Sequence, residues 1–167
     1  MDVRPASRDV AERFLAAANA HDIDAMISLW EPGATEHFPI FQESFRVPDE
    51  YAAHFRSLFA AFPDVQWDIV SITQDADRVV VRSKMNGTHH GLYQGITATG
   101  KPFSVDAIDF LQISDGRIVH NDVFFDGLTV LRQIGVLPPA GSTRERMLKR
   151  ASNALTRVRQ TVRGRLL

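Results

Sequence analysis

The chain has 167 residues, of which 44% are hydrophobic and 23% charged, a size and balance that suit one globular domain and leave little room for two. It has no cysteine, which excludes disulfides, thiolate metal sites and a cysteine nucleophile. The formal net charge of −1 hides an asymmetry: residues 143–167 hold eight Lys or Arg against Glu145 alone, so the tail carries +7 and the remainder −8.

The start of the chain, Met1 to Asp9, carries charges and no apolar run, and no stretch approaches the ~20 apolar residues of a membrane span. A cytoplasmic protein is expected.

Ser7 suits the cap of a helix over 7–19, in which Val10, Phe14 and Ala18 recur at helical spacing. A short second helix follows His21-Asp22, with Ala25, Met26, Leu29 and Trp30 on one side. Glu31-Pro32-Gly33 stops it. A short strand is expected around Thr35–Pro39. Pro48 opens a third helix whose stripe is Tyr51, Phe55, Leu58, Phe59 and Phe62, and Pro63-Asp64 ends it.

From Val65 the period changes to two. Val65, Trp67 and Ile69 alternate with polar residues. After a turn at Gln74–Asp77, Val79, Val81, Ser83 and Met85 do the same. Asp115-Gly116 lies between two strand-like runs and predicts a two-residue type I′ hairpin. Regular pairing from that turn sets Ser114 opposite Arg117. On one face it then sets Leu111 opposite His120, Asp109 opposite Asp122, Ala107 opposite Phe124 and Val105 opposite Asp126. Helices followed by antiparallel strands predict an α+β layer architecture. Residues 137–142 read as a linker. Beyond it Leu148, Ala151, Leu155, Val158, Val162 and Leu166 predict a basic amphipathic helix. The domain therefore divides into 1–137 and a tail, 138–167.

The hairpin face mixes Asp109, His120, Asp122 and Asp126 with apolar neighbours. Carboxylates in apolar surroundings lose hydration, which raises their pKa and creates proton acceptors or donors near neutral pH. Such a face suits proton abstraction beside a carbonyl. The opposite face (Ile108, Phe110, Val119, Val123, Phe125) is as apolar and is the competing choice for the core. His89 falls on the inward set of its strand, and His37 precedes Phe38-Pro39; a lone inward histidine is more often a packed core group than a catalyst. No HxH, HExxH, glycine-rich phosphate loop or GxSxG pattern occurs, so metal, nucleotide and serine-hydrolase chemistries are not indicated.

Several runs carry a family resemblance. They are Gly87-Thr88-His89-His90-Gly91, Gly95-Ile96, Thr99-Gly100-Lys101, Ile108-Asp109, Asp115-Gly116-Arg117-Ile118-Val119, Asp126-Gly127-Leu128 and Leu131-Arg132-Gln133-Ile134-Gly135, with Ala61-Phe62-Pro63-Asp64 upstream. In this order and spacing, over residues 8–137, they resemble the SnoaL-like polyketide cyclases, also called ester cyclases, of the nuclear transport factor 2-like superfamily. The resemblance implies an α+β cone, a curved antiparallel sheet wrapped around the N-terminal helices. It also implies an apolar pocket needing no cofactor and no metal, and a homodimer. The implied chemistry is ring closure by intramolecular aldol condensation, or isomerisation, of a hydrophobic carbonyl compound, with an aspartate of the late strands as acid/base.

The catalytic candidates are Asp122, Asp126, Asp109 and His89. Asp122 ranks first because regular pairing sets it opposite Asp109, whereas Asp126 is equally suited to capping a helix from Gly127. His37, His120, Phe124, Trp30, Phe55, Phe59 and Met85 are the expected substrate contacts. Family members commonly show Glu-His-Trp where this chain has His120-Asn121-Asp122. That departure keeps open a second reading, a non-catalytic ligand-binding or assembly module. Three readings stand for the tail: packing on its own domain, packing on a partner subunit, or contact with an anionic partner, with nucleic acid not expected.

Overall fold

A computed structural model describes residues 7–163. Leu166 and Arg165, and the side chains of Val158, Val162 and Arg163, lie outside the described residues.

Helix α1 (Ser7–Asn19) turns Val10, Ala11, Phe14, Leu15 and Ala18 inward, the stripe that a 3.6-residue period requires. Its last residue, Asn19, clamps the sheet: its Oδ1 accepts from Trp67 N at 2.7 Å, and its Nδ2 donates to Trp67 O at 3.0 Å. Helix α2 (Ile23–Ser28) is capped by Asp22, whose carboxylate accepts from Ala25 N. Helix α3 (Asp49–Ala61) starts after Pro48 and buries Tyr51, Ala52, His54, Phe55 and Ala61.

Six strands form one sheet in the order β2-β1-β6-β5-β4-β3. They are β1 (Trp30–Phe38), β2 (Glu43–Arg46), β3 (Gln66–Asp75), β4 (Arg78–Thr88), β5 (Pro102–Ser114) and β6 (Arg117–Phe125). Neighbours are antiparallel except β1 and β6, which run parallel. The parallel pair makes the sheet mixed. Pairing with β6 also explains why β1 begins at Trp30 and tolerates Pro32-Gly33, since its register is irregular between Trp30 and Thr35.

The Asp115-Gly116 turn forms with φ of 52° and 78°, the two positive values that a type I′ turn needs. Ser114 faces Arg117, and Ile113 faces Ile118. The pairing then slips by one: Gln112 faces His120, which leaves Val119 as an extra residue on β6. Because side chains alternate, one extra residue swaps the faces of everything beyond it. Asp109 therefore sits opposite Val123 and not Asp122. On β5 the expected face is the buried one, with Val105, Ala107, Asp109, Leu111 and Ile113 inside. On β6 Ile118 is inside, but Asn121 and Val123 follow it, and His120, Asp122 and Phe124 turn out.

The sheet's concave face closes on α1 and α3 around an aromatic cluster. Trp30 is 1% exposed, edge-on to Phe14 and tilted on Tyr51. Helix α4 (Gly127–Gln133) follows β6 directly, capped by Asp126. Helix α5 (Thr143–Arg163) leaves the body after the 137–142 turn segment. At its start Arg132 bonds Glu145 at 2.9 Å and Gly141 N donates to the same carboxylate. Beyond that, Met147, Leu148 and Leu155 are all more than half exposed. No described helix is long and apolar enough to cross a membrane.

Because Gln112 already pairs with His120 past Val119, deleting Val119 joins Ile118 to His120 and keeps His120 and Asp122 outside and Asn121 inside. The deletion is therefore expected to leave a cooperatively folded protein, with unfolding free energy lowered by no more than about 3 kcal/mol, read by urea denaturation with circular dichroism.

Candidate active site

The cone encloses a cavity of about 390 Å³, within the usual range for small-molecule sites. Apolar side chains line most of it. Phe14, Leu15 and Ala18 come from α1, Phe55 and Leu58 from α3, and Trp67, Met85 and Phe103 from the strands. Leu128, Val130 and Leu131 from α4 close one side. Tyr93, Gln94 and Ile96 come from the β4–β5 connection, which folds into a tip bridged between Tyr93 and Ile96.

Five ionisable side chains reach this apolar lining: Glu36, His54, His89, Asp109 and Tyr93, whose phenol is raised to about 12 by burial first. Asp109 on β5 is 5% exposed and Glu36 on β1 is 1% exposed. Both accept from one donor, the amide nitrogen Nδ2 of Asn121 on β6, at 2.9 Å and 3.0 Å. The order of strands explains the meeting. β6 lies between β1 and β5, with Glu36 beside Asn121 in the parallel pair and Leu111 beside it in the antiparallel pair, so the inward Asn121 stands between the two carboxyls. The slip at Val119 is what turns Asn121 inward.

Burial sets the protonation states. Desolvation raises Asp109 to about 6, opposed by its bond from Asn121. Desolvation also holds Glu36 well above the usual carboxylate range, and the charge of Asp109 adds to the effect. The pair is therefore ordered, with Glu36 holding its proton to higher pH than Asp109. Glu36 Oε2 and Asn121 Oδ1 are buried without a hydrogen-bond partner. Tyr51 behind them is raised as well, by burial first and then by Glu36. His54 is pushed down to about 4 by burial, so it is neutral, stacked on Phe45.

His89 is fully buried at the end of β4, stacked on Phe62. Its Nδ1 lies 3.3 Å from Thr99 Oγ1, and its Nε2 has no partner. Its position is fixed from both sides. Backbone bonds join His89 to Gly100 and Lys101, and His90 N and Gly91 N both donate to Ala61 O at the end of α3. At Gly91 a Cβ would lie 2.7 Å from Ala60 O, so only glycine allows that approach. Asp64 completes the anchor by accepting from Thr88 N and Thr88 Oγ1.

Of the residues expected from sequence, Asp109, His89, Phe55 and Met85 line the cavity. The others do not. Asp122 is half-exposed on the outer face, where His37 Nδ1 lies 2.9 Å and His120 Nε2 3.3 Å from its carboxylate. Phe124 is on that face too, edge-on to Phe110. Trp30 is in the core, and Phe59 stacks on His21. Asp126 is exposed and caps α4 through Thr129 N and Thr129 Oγ1, bonds that hold its pKa below the usual value. Its chain neighbours Phe125, Gly127 and Leu128 do line the cavity. Glu36 and Asn121 were not expected. Alternation places Glu36 on the face of Phe38, which was a usable signal. Asn121 faces inward only because of the slip, which no residue type announces. Among the described residues, no group of three or more His, Asp or Glu side chains is arranged to hold a metal ion.

A curved sheet closed by helices over an acid-bearing apolar cavity defines the nuclear transport factor 2-like class of fold. Solved structures of that class superimpose on the chain. One is IdmH from Streptomyces antibioticus, at a TM-score of 0.70 and 26% identity, matching 78% of this chain and 99% of that one. Another is AclR from Streptomyces galilaeus, at 0.70 and 25%, matching 79% and 97%. The family model of SnoaL-like polyketide cyclases matches residues 8–134. The aklanonic acid methyl ester cyclase DnrD of Streptomyces peucetius is 31% identical over 134 residues, 76% of this chain and 89% of the relative. The corresponding DauD of Streptomyces sp. strain C5 is 31% identical over 133 residues, 76% of this chain and 80% of its own length. The chain belongs to the SnoaL-like polyketide cyclase family and is an enzyme of the cyclase or isomerase type.

The raised pKa of Asp109 has a cost in stability. Its ordinary value is 3.8 and its folded value about 6. A raised carboxyl favours the fold while protonated, and that contribution is lost as pH climbs through the folded value. That rise corresponds to about 3 kcal/mol. Asp109→Asn, which keeps an acceptor for Asn121, is expected to match the wild type near pH 4 and exceed it above pH 6. Urea denaturation at the two pH values checks this.

Proposed function

We propose that this cavity closes a ring in a polyketide-type carbonyl compound by intramolecular aldol condensation, with Asp109 as the base and no cofactor taking part. The observation that carries the reading is a carboxylate buried in an apolar cavity with its pKa near 6, poised to take a proton at physiological pH. The names of the relatives support a substrate like aklanonic acid methyl ester, a carbonyl-rich polyketide ester. Asp109 removes a proton alpha to a carbonyl. The enolate carbon attacks a second carbonyl of the same molecule, one carbon–carbon bond forms, and the alkoxide takes up a proton. Nothing leaves, so the product is an isomer of the substrate. His89 Nε2, unpartnered in the lining, is placed to bind a substrate oxygen. The apolar walls exclude water and strengthen that contact.

With aklanonic acid methyl ester as the probe, kcat/KM is expected to rise with pH about a midpoint near 6, as Asp109 ionises. Asp109→Asn is expected to lower kcat by about 10² to 10⁴ while the variant remains folded. Asp122→Asn, on the outer face, is expected to keep near-full activity. Asp126→Asn is the decisive comparison. If it abolishes turnover while Asp109→Asn does not, the acid/base belongs at the mouth beside α4 and not within the cavity.

His89→Gln removes the imidazole from the lining but leaves the backbone anchor. It is expected to lower kcat by about ten- to a hundredfold, the cost of one preorganised polar contact or somewhat less. Steady-state kinetics with the same probe checks this.

A further inference from the structure

We propose that Glu36 is the proton donor of the ring closure, working as the acid half of a carboxyl pair that Asn121 holds together with Asp109. The proposal rests on the aldol reading given above. Both carboxyls bond the same amide nitrogen, so their bonded oxygens lie no further apart than the two bonds combined. Glu36 lines the cavity, and its second oxygen, Oε2, is buried with no partner in the protein. A buried acid whose free oxygen meets a ligand cavity is a donor awaiting an acceptor. The groups around it favour that state. Asp109 across the amide is the more acidic carboxyl, Tyr51 stays neutral, and the only histidines in the lining are His54 and His89.

The steps balance. Asp109 carboxylate takes the alpha proton. The enolate pair forms the carbon–carbon bond, and the electrophilic carbonyl's π pair moves to its oxygen. That alkoxide takes the Glu36 proton and becomes the hydroxyl. Asp109 is left as the acid and Glu36 as the carboxylate, and transfer of one proton from the former to the latter restores the starting pair. Asn121 is a positioning residue. Its amide donates to both carboxyls throughout and exchanges no proton.

The test separates the two proton transfers. In deuterium oxide, exchange at the substrate's alpha carbon reports Asp109, and appearance of the cyclic product reports Glu36 as well. Glu36→Gln is expected to retain exchange within about threefold and to lose ring closure by about a hundredfold or more. Asp109→Asn is expected to lose both. Equal loss of exchange and closure in Glu36→Gln would make Glu36 a structural support, and unimpaired closure would remove it from the reaction; either overturns the proposal. A second measurement needs no substrate. The infrared carboxylic-acid C=O band of the resting protein at pH 7.5 is expected to disappear in Glu36→Gln, and its absence from the wild type would overturn the protonated state. A band that is present alongside a wild type inactive on every carbonyl probe would count against the aldol reading instead.

A separate observation carries a second inference, that α5 docks on an anionic lipid surface. The helix is 21 residues, about 31 Å, and Met147, Leu148, Ala151, Ala154 and Leu155 share one exposed side at three- and four-residue spacing. Arg146, Lys149 and Arg150 gather on the other, Arg159 flanks the strip, and Arg144 stands in line with it at the first turn. Its one acid, Glu145, is already engaged by Arg132 and Lys149. An apolar strip flanked by cations matches the boundary between lipid tails and anionic headgroups. Vesicles containing phosphatidylglycerol are expected to sediment the full chain, and phosphatidylcholine vesicles are not. The triple variant Arg146→Glu, Lys149→Glu, Arg150→Glu is expected to weaken binding by about a hundredfold or more, and Leu155→Asp to abolish it. No sedimentation of the wild type, or binding unchanged in both variants, would overturn the inference. So would self-association without vesicle binding that Leu155→Asp removes, which assigns the strip to a second copy.

Discussion

Two carboxyl groups that share one amide donor inside an apolar cavity cannot both be ionised at neutral pH without a large electrostatic cost. Most of the site follows from that constraint. Burial first, and then the nearby Asp109, hold Glu36 toward its protonated form. Asp109 is the carboxyl that gives its proton up, at about pH 6. Asn121 can bridge them because an amide donates through one nitrogen to two acceptors. An aspartate at position 121 would bring a third carboxyl, and a leucine would leave two polar groups without a donor. The apolar walls, the helices over them and the α3 anchor of the His89 segment all serve to keep water from relaxing this arrangement.

Much of the fold could be read in the sequence, because periodicity and turn chemistry are local. The α1 stripe, the Pro48 start of α3, the β4 alternation and the Asp115-Gly116 hairpin each announce themselves within a few residues, whereas in β3 Trp67 turns in but Ile69 is exposed at a bulge. Asp109 was on the correct face for the same reason. Its intended partner was not, since the β6 face depends on a single unpaired residue, Val119. Valine is as good a regular strand residue as any, so nothing in its identity signals the slip. The consequence runs to the end of the strand: His120, Asp122 and Phe124 pass to the outside, and Asn121 takes the central place. The parallel contact between β1 and β6 was equally hidden, because it joins segments 85 residues apart. Alternation set Glu36 on the face of Phe38, but its place beside Asn121 follows only from that contact.

Cavity and surface divide the charges of this chain in a consistent way. Carboxylates free to meet solvent or a cap, such as Asp64, Asp126 and Glu145, are stabilised as anions by hydrogen bonds. Those inside the cone are pushed toward the neutral form. The same residue type thus serves as fixed structural charge outside and as a movable proton inside, hydrogen bonds setting the one and chiefly burial the other. The tail follows neither pattern: it is cationic, exposed and tethered mainly at its first turn.

The parallel pairing of β1 with β6 also bears on how the protein assembles. Hairpins such as β5–β6 close short loops and can form early, whereas β1 must find β6 across about half of the chain, and such non-local pairing is slow because loop entropy is lost before contacts compensate. Glu36 and Asn121 meet only at that step. The proton-handling pair therefore does not exist in any partly folded form that lacks β1 on the sheet. Such forms would have an open, wet cavity with ordinary carboxylates, which ties the onset of reactivity to completion of the fold.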